Sequence, residues 1–106
     1  MSFQNQYNEY QQTIRALQEH MATISSQIAE HRVVRETLSK VPQDRKAWRL
    51  ADTAMVETNA KDAGEVLDEK LRGLEQLQVK LEEECQGVQK EFDDWKVKNN
   101  VKIVRG

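Results

Sequence analysis

The chain has 106 residues, of which 32% are charged and 6% aromatic, with four glycines and one proline. That is the composition of long surface helices and coiled coils, and it leaves too little apolar material for a self-contained globule, so any core is thin or completed by partners. A formal net charge of −2 argues against a general nucleic-acid binder, which needs a basic face to displace counterions. The lone cysteine, Cys85, permits no internal disulfide and fits a reducing compartment. No apolar run approaches the roughly 20 residues a membrane span requires. The opening MSFQNQYNEYQQ has neither the basic nor the apolar region of a signal peptide. A cytoplasmic location is therefore expected.

The first predicted element is a helix over about 3–41. Its seam reads Phe3, Tyr7, Tyr10, Ile14, Leu17, Met21, Ile24, Ile28, with spacings alternating between 4 and 3. A stripe of that period is an a/d heptad seam. His31 continues it, after which Val33 and Val34 broaden the apolar face beyond a simple seam, and Leu38 and Val41 carry the stripe on. A broader face expects more than one neighbour. Pro42 excludes helical geometry at Val41 and closes the helix.

A linker over about 42–58 follows. Trp48 and Leu50 alternate with Ala47, Arg49 and Ala51, and Ala54-Met55-Val56-Glu57 follows Asp52-Thr53. Two short alternating runs around two residues predict a β-hairpin. Asp-Thr is a poor turn pair, because a β-branched residue resists positive φ. Two strands alone are marginal in water, so the hairpin should pair with strands of other chains. Trp48, Leu50, Met55 and Val56 are then the expected subunit-assembly residues.

The third element is a helix over about 60–99, opened by Asn59 and Asp62 as a capping pair. Its seam reads Leu67, Leu71, Leu74, Gln78, Leu81, Cys85, Val88, Phe92, Trp95. Gln78 is a polar interruption of the kind that sets register. Gly64, Gly73 and Gly87 lie inside it, each costing roughly 1 kcal/mol relative to alanine, so the helix should lean on packing. Residues 100–106 form a short apolar tail. Equal helices around one short connection predict an antiparallel two-helix coiled-coil hairpin, all-α dominated and a single domain over 1–106. The run Glu82-Glu83-Glu84 is read as a solvated face, with an acidic docking patch for a basic partner as its alternative.

No catalytic set is visible. His20 falls on the solvent side and His31 on the seam. Two histidines and one cysteine lack zinc-ligand spacing. Cys85 has no base or orienting group beside it, and no glycine-rich phosphate loop occurs. Neither an enzyme, a cofactor nor a metal is expected.

Several stretches resemble β-type prefoldin subunits, most of all their subunit-2 branch. Asp44-Arg45-Lys46-Ala47-Trp48-Arg49-Leu50 is similar to the family's T-R-K-C-Y-R-M, and Ala54-Met55-Val56-Glu57 to its V-L-V-E strand. Glu30-His31 with Glu36-Thr37-Leu38 resembles N-E-H…D-T-L, and Asn99-Asn100-Val101-Lys102-Ile103 resembles H-N-I-R-I. The family usually carries Gly-Gly where this chain has Asp52-Thr53.

The resemblance implies a hexamer of two α-type and four β-type chains whose hairpins form a β-barrel. It also implies coiled-coil arms whose tips hold unfolded actin or tubulin for the cytosolic chaperonin, without ATP. In an antiparallel pair the helix ends meet, and most aromatics collect there. Tyr10, Phe92 and Trp95 can serve as a clamp that closes this end. Phe3, Tyr7, Val101, Ile103 and Val104 read as a partly exposed apolar patch of the kind that marks interaction sites. The expected client-binding set is thus Phe3, Tyr7, Tyr10, Trp95, Val101, Ile103 and Val104. Arg45, Lys46 and Arg49 are solvated charges or a contact with a neighbouring subunit or chaperonin. The alternative to a holdase is a structural coiled-coil tether or scaffold, which would leave 48–56 as an ordinary loop.

Overall fold

A computed structural model describes residues 2–99. Its elements are α1 (Phe3–Ser39), β1 (Lys46–Ala51), β2 (Ala54–Asn59) and α2 (Ala60–Lys98). The strands form a two-stranded antiparallel sheet. The chain thus places two long helices on either side of one β-hairpin, as the heptad seams and the alternating linker predict. The linker is not the ordinary loop that a plain tether would need.

The chain divides into two compact units, each built from both helices. The terminal unit joins the described parts of Met1–Thr23 and Gln78–Gly106. The hairpin unit is Ile24–Leu77. Seam residues supply the buried core of each: Ile14, Leu81 and Phe92 in the terminal unit, and Ile24, Ile28 and Ala60 in the hairpin unit. This is the thin, stripe-like core of a helix pair.

Capping explains where the helices begin. The Ser2 hydroxyl accepts from the Asn5 N–H at 3.2 Å, and the Asn59 carboxamide oxygen accepts from the Asp62 N–H at 2.8 Å. Each satisfies an amide that the helix's first turn would leave open. Two more free amides of α2 are taken by the loop before β1, Ala60 N–H donating to Arg45 C=O at 2.9 Å and Lys61 N–H to Gln43 C=O at 3.0 Å. These bonds lock the start of α2 to the root of the hairpin. At the other end α1 stops at Ser39, two residues short of the expected Val41. Its last turn tightens through Lys40 N–H to Thr37 C=O, and the Ser39 hydroxyl donates to Glu36 C=O at 2.6 Å. The break therefore precedes the residue that Pro42 constrains.

The turn solves its chemistry with one residue. Asp52 takes a φ of 54°, and no other non-glycine residue among those described has positive φ. The short polar Asp52 tolerates the left-handed region, and the β-branched Thr53 is spared it.

The α1 seam loosens at Arg35, which occupies the heptad position after His31. Its half-buried guanidinium donates to the Asp68 carboxylate at 2.8 Å. Gly64 makes this possible, since a Cβ there would lie 2.9 Å from Arg35 Nη1. Gly73 and Gly87 have nothing within 4 Å of where a Cβ would stand. Replacing either with alanine should therefore stabilise the chain by roughly 0.5–1 kcal/mol. Gly64→Ala should gain less than either, because the added methyl makes the Arg35 guanidinium shift beside Asp68. Urea unfolding followed by far-ultraviolet circular dichroism distinguishes the two cases.

Candidate functional site

Two surfaces concentrate exposed apolar groups. In the terminal unit, the start of α1 and the end of α2 bring five aromatic rings together. Phe92 is buried at the centre, stacked on Tyr10 (5.2 Å between centroids, 20°) and edge-on to Tyr7 (5.3 Å, 62°). Trp95 lies within 5.7–6.5 Å of Phe3, Tyr7, Tyr10 and Phe92. Its indole N–H donates to Gln6 Oε1 at 2.8 Å, which fixes the ring. Lys96 Nζ sits 4.3 Å above the Phe92 ring, a cation–π contact. Tyr7, Tyr10 and Trp95 are half-buried, whereas Phe3 remains 60% exposed.

Four of the seven expected client-binding residues, Phe3, Tyr7, Tyr10 and Trp95, are therefore in one cluster. The other three, Val101, Ile103 and Val104, lie outside the described residues. Val97, left out of the set, is 83% exposed. Its signal was available: it sits two positions after the seam residue Trp95, on the outer side of the heptad. Val33 is exposed for the same reason.

Beside the rings runs an open groove of about 430 Å³, lined by Gln6, Glu9, Tyr10, Thr13, Val88, Glu91 and Trp95. That volume is in the range of pockets that hold small ligands or side chains.

The second surface is the hairpin. Residues directly opposite in an antiparallel pair share a face. The register Trp48↔Glu57, Leu50↔Met55 and Arg49↔Val56 therefore places Trp48, Leu50 and Met55 together and Val56 on the opposite side with Arg49. The four expected assembly residues therefore lie on both faces of the hairpin. Trp48, Leu50 and Met55 are 56%, 63% and 60% exposed, a large apolar patch that the hairpin cannot cover by itself. Lys46 and Glu57 form an ion pair at 3.2 Å beside it. Of the three residues in the basic cluster, Lys46 is thus engaged within the hairpin.

His31 Nδ1 lies 2.7 Å from Gln27 C=O within α1, and His20 is exposed. Cys85 is free and half-buried. Among the described residues no group of histidine, cysteine and carboxylate side chains could hold a metal ion, and no helix is long and apolar enough to cross a membrane.

Comparison with known proteins gives the family. The family described as "Prefoldin subunit" matches residues 2–105. Prefoldin subunit 2 of Saccharomyces cerevisiae is 31% identical over 103 residues, spanning 97% of this chain and 93% of its own. Prefoldin subunit 2 of Homo sapiens is 24% identical over 98 residues, covering 92% of this chain but 64% of its own length. In fold, the chain is similar to the crystal structure of the prefoldin beta subunit from Thermococcus strain KS-1, with a TM-score of 0.80 at 19% identity, covering 89% of this chain and 82% of that one. With a family match across nearly its whole length and two helices around one hairpin, the chain belongs to the prefoldin subunit family.

Proposed function

We propose that this chain is an ATP-independent holdase subunit of a cytoplasmic prefoldin heterohexamer of two α-type and four β-type chains. Its hairpin joins neighbouring hairpins in a β-barrel through the Trp48, Leu50 and Met55 face, with Val56 closing the other side. Its aromatic end captures unfolded actin- or tubulin-type chains, which pass to the cytosolic chaperonin.

The observation that carries this reading is the aromatic cluster, sealed below by Phe92 and open above at Phe3. Rings held by packing but left half-exposed offer apolar area at little entropic cost, which suits partners without a fixed shape. A tether would need only the seam. A complex in which this chain ends at Asn99, without Val101, Ile103 and Val104, should protect aggregating actin or tubulin markedly less than the intact one. Equal protection would remove those three residues from the client-binding set.

A further inference from the structure

The groove beside the aromatic cluster has a chemistry of its own. Glu9 and Glu91 stand at its walls and Tyr10 and Trp95 present ring surface to it. Both carboxylates are exposed, and neither has an ion-pair partner among the described residues. Among the described residues no basic side chain lines the groove. The aromatic cluster already accepts a cation, since Lys96 Nζ stands over the Phe92 ring.

We infer that this groove is a subsite for a cationic side chain, and that the chain selects unfolded segments in which arginine or lysine lies next to apolar residues. The inference rests on the holdase reading above and names what that surface prefers. The guanidinium or ammonium group lies against the Tyr10 and Trp95 rings while Glu9 and Glu91 neutralise its charge. Neighbouring apolar residues of the same segment meet Val88 and the exposed face of Phe3. Trp95 is held in place by Gln6, so the ring surface exists before the segment arrives and costs no ordering on binding. An acidic segment meets the carboxylates of Glu9 and Glu91 and is repelled.

The test uses the assembled complex and three fluorescent, unstructured peptides of equal length and apolar content, whose intervening residues are all arginine, all serine or all glutamate. Anisotropy titration should rank them arginine, then serine, then glutamate, with the arginine advantage shrinking as salt rises. Glu9→Gln with Glu91→Gln, which keeps good helix formers at exposed positions, should weaken the arginine peptide about fivefold and leave the serine peptide unchanged. An arginine affinity untouched by the double change, or a serine peptide weakened equally, would overturn the subsite. Serine-peptide binding with no arginine preference also overturns it while leaving the holdase reading intact. Failure of the unaltered complex to bind any of the three defeats the holdase reading itself. Tighter arginine binding after removal of residues beyond Asn99 would make the chain's own Lys102 and Arg105 the occupants and overturn the assignment to a partner.

Discussion

Trp48→Lys combined with Met55→Glu should remove the chain from its complex while leaving its helices intact. Both side chains are more than half exposed, so neither contributes much to the chain's own core. Trp48 faces Glu57 across the strands, and a lysine there adds an opposite-charge pair rather than a repulsion. Inside an assembled sheet the same charges would be buried against apolar partners. Uncompensated buried charge costs on the order of 3–5 kcal/mol, so association should weaken by more than about 100-fold. Size-exclusion chromatography with the other subunits reads the loss, and circular dichroism confirms that helix content is kept. Full incorporation of the doubly changed chain would show that this face is solvent-exposed in the complex.

Phe92→Ala should have the largest effect on stability. Phe92 is 5% exposed and is the ring against which Tyr7, Tyr10 and Trp95 pack. Replacing a buried phenylalanine with alanine costs about 3–5 kcal/mol, and here the loss also loosens its neighbours. Urea unfolding should shift accordingly, and Trp95 fluorescence should move to the red as the indole gains solvent. Phe3→Ala makes the useful contrast. At 60% exposure it should cost less than about 1 kcal/mol yet reduce protection of aggregating clients. A large stability loss at Phe3, or none at Phe92, would reverse the roles given to the two rings.

The parts of this fold that were legible in the sequence are those with a strict period. The Phe3–Ile28 and Leu67–Trp95 seams specify the paired helices because a heptad stripe has no other way to be buried. Asn59 marked the start of α2 for an equally local reason. The strands were legible as alternation around Asp52-Thr53. The turn was not, because its geometry depends on Asp52 alone entering the left-handed region, and the residue pair does not announce that. Pairing register was legible too: a two-residue turn at Asp52-Thr53 sets Leu50 opposite Met55 and Arg49 opposite Val56, as observed, and turns Val56 away from Trp48, Leu50 and Met55.

At the aromatic end, helix antiparallelism was enough to gather Phe3, Tyr7, Tyr10 and Trp95. It could not say which ring is sealed in, since burial of Phe92 and exposure of Phe3 follow from three-dimensional packing beyond the seam. The role of Gly64 was likewise hidden. In sequence it is a helix-weakening residue, and in the structure it is the space that lets Arg35 reach Asp68. Val33 was legible as a broadening of the apolar face, and Val97 could have joined the client-binding set, because an apolar residue on the outer side of a heptad has no partner in its own pair.

The most direct test of the central claim is native mass spectrometry of the tagged chain recovered from its own cells. A subunit of this family built around an uncovered hairpin face should appear in a six-chain particle with five other small coiled-coil chains. A homodimer, or a complex with large filamentous proteins, would contradict the account and return the aromatic cluster to a purely structural role.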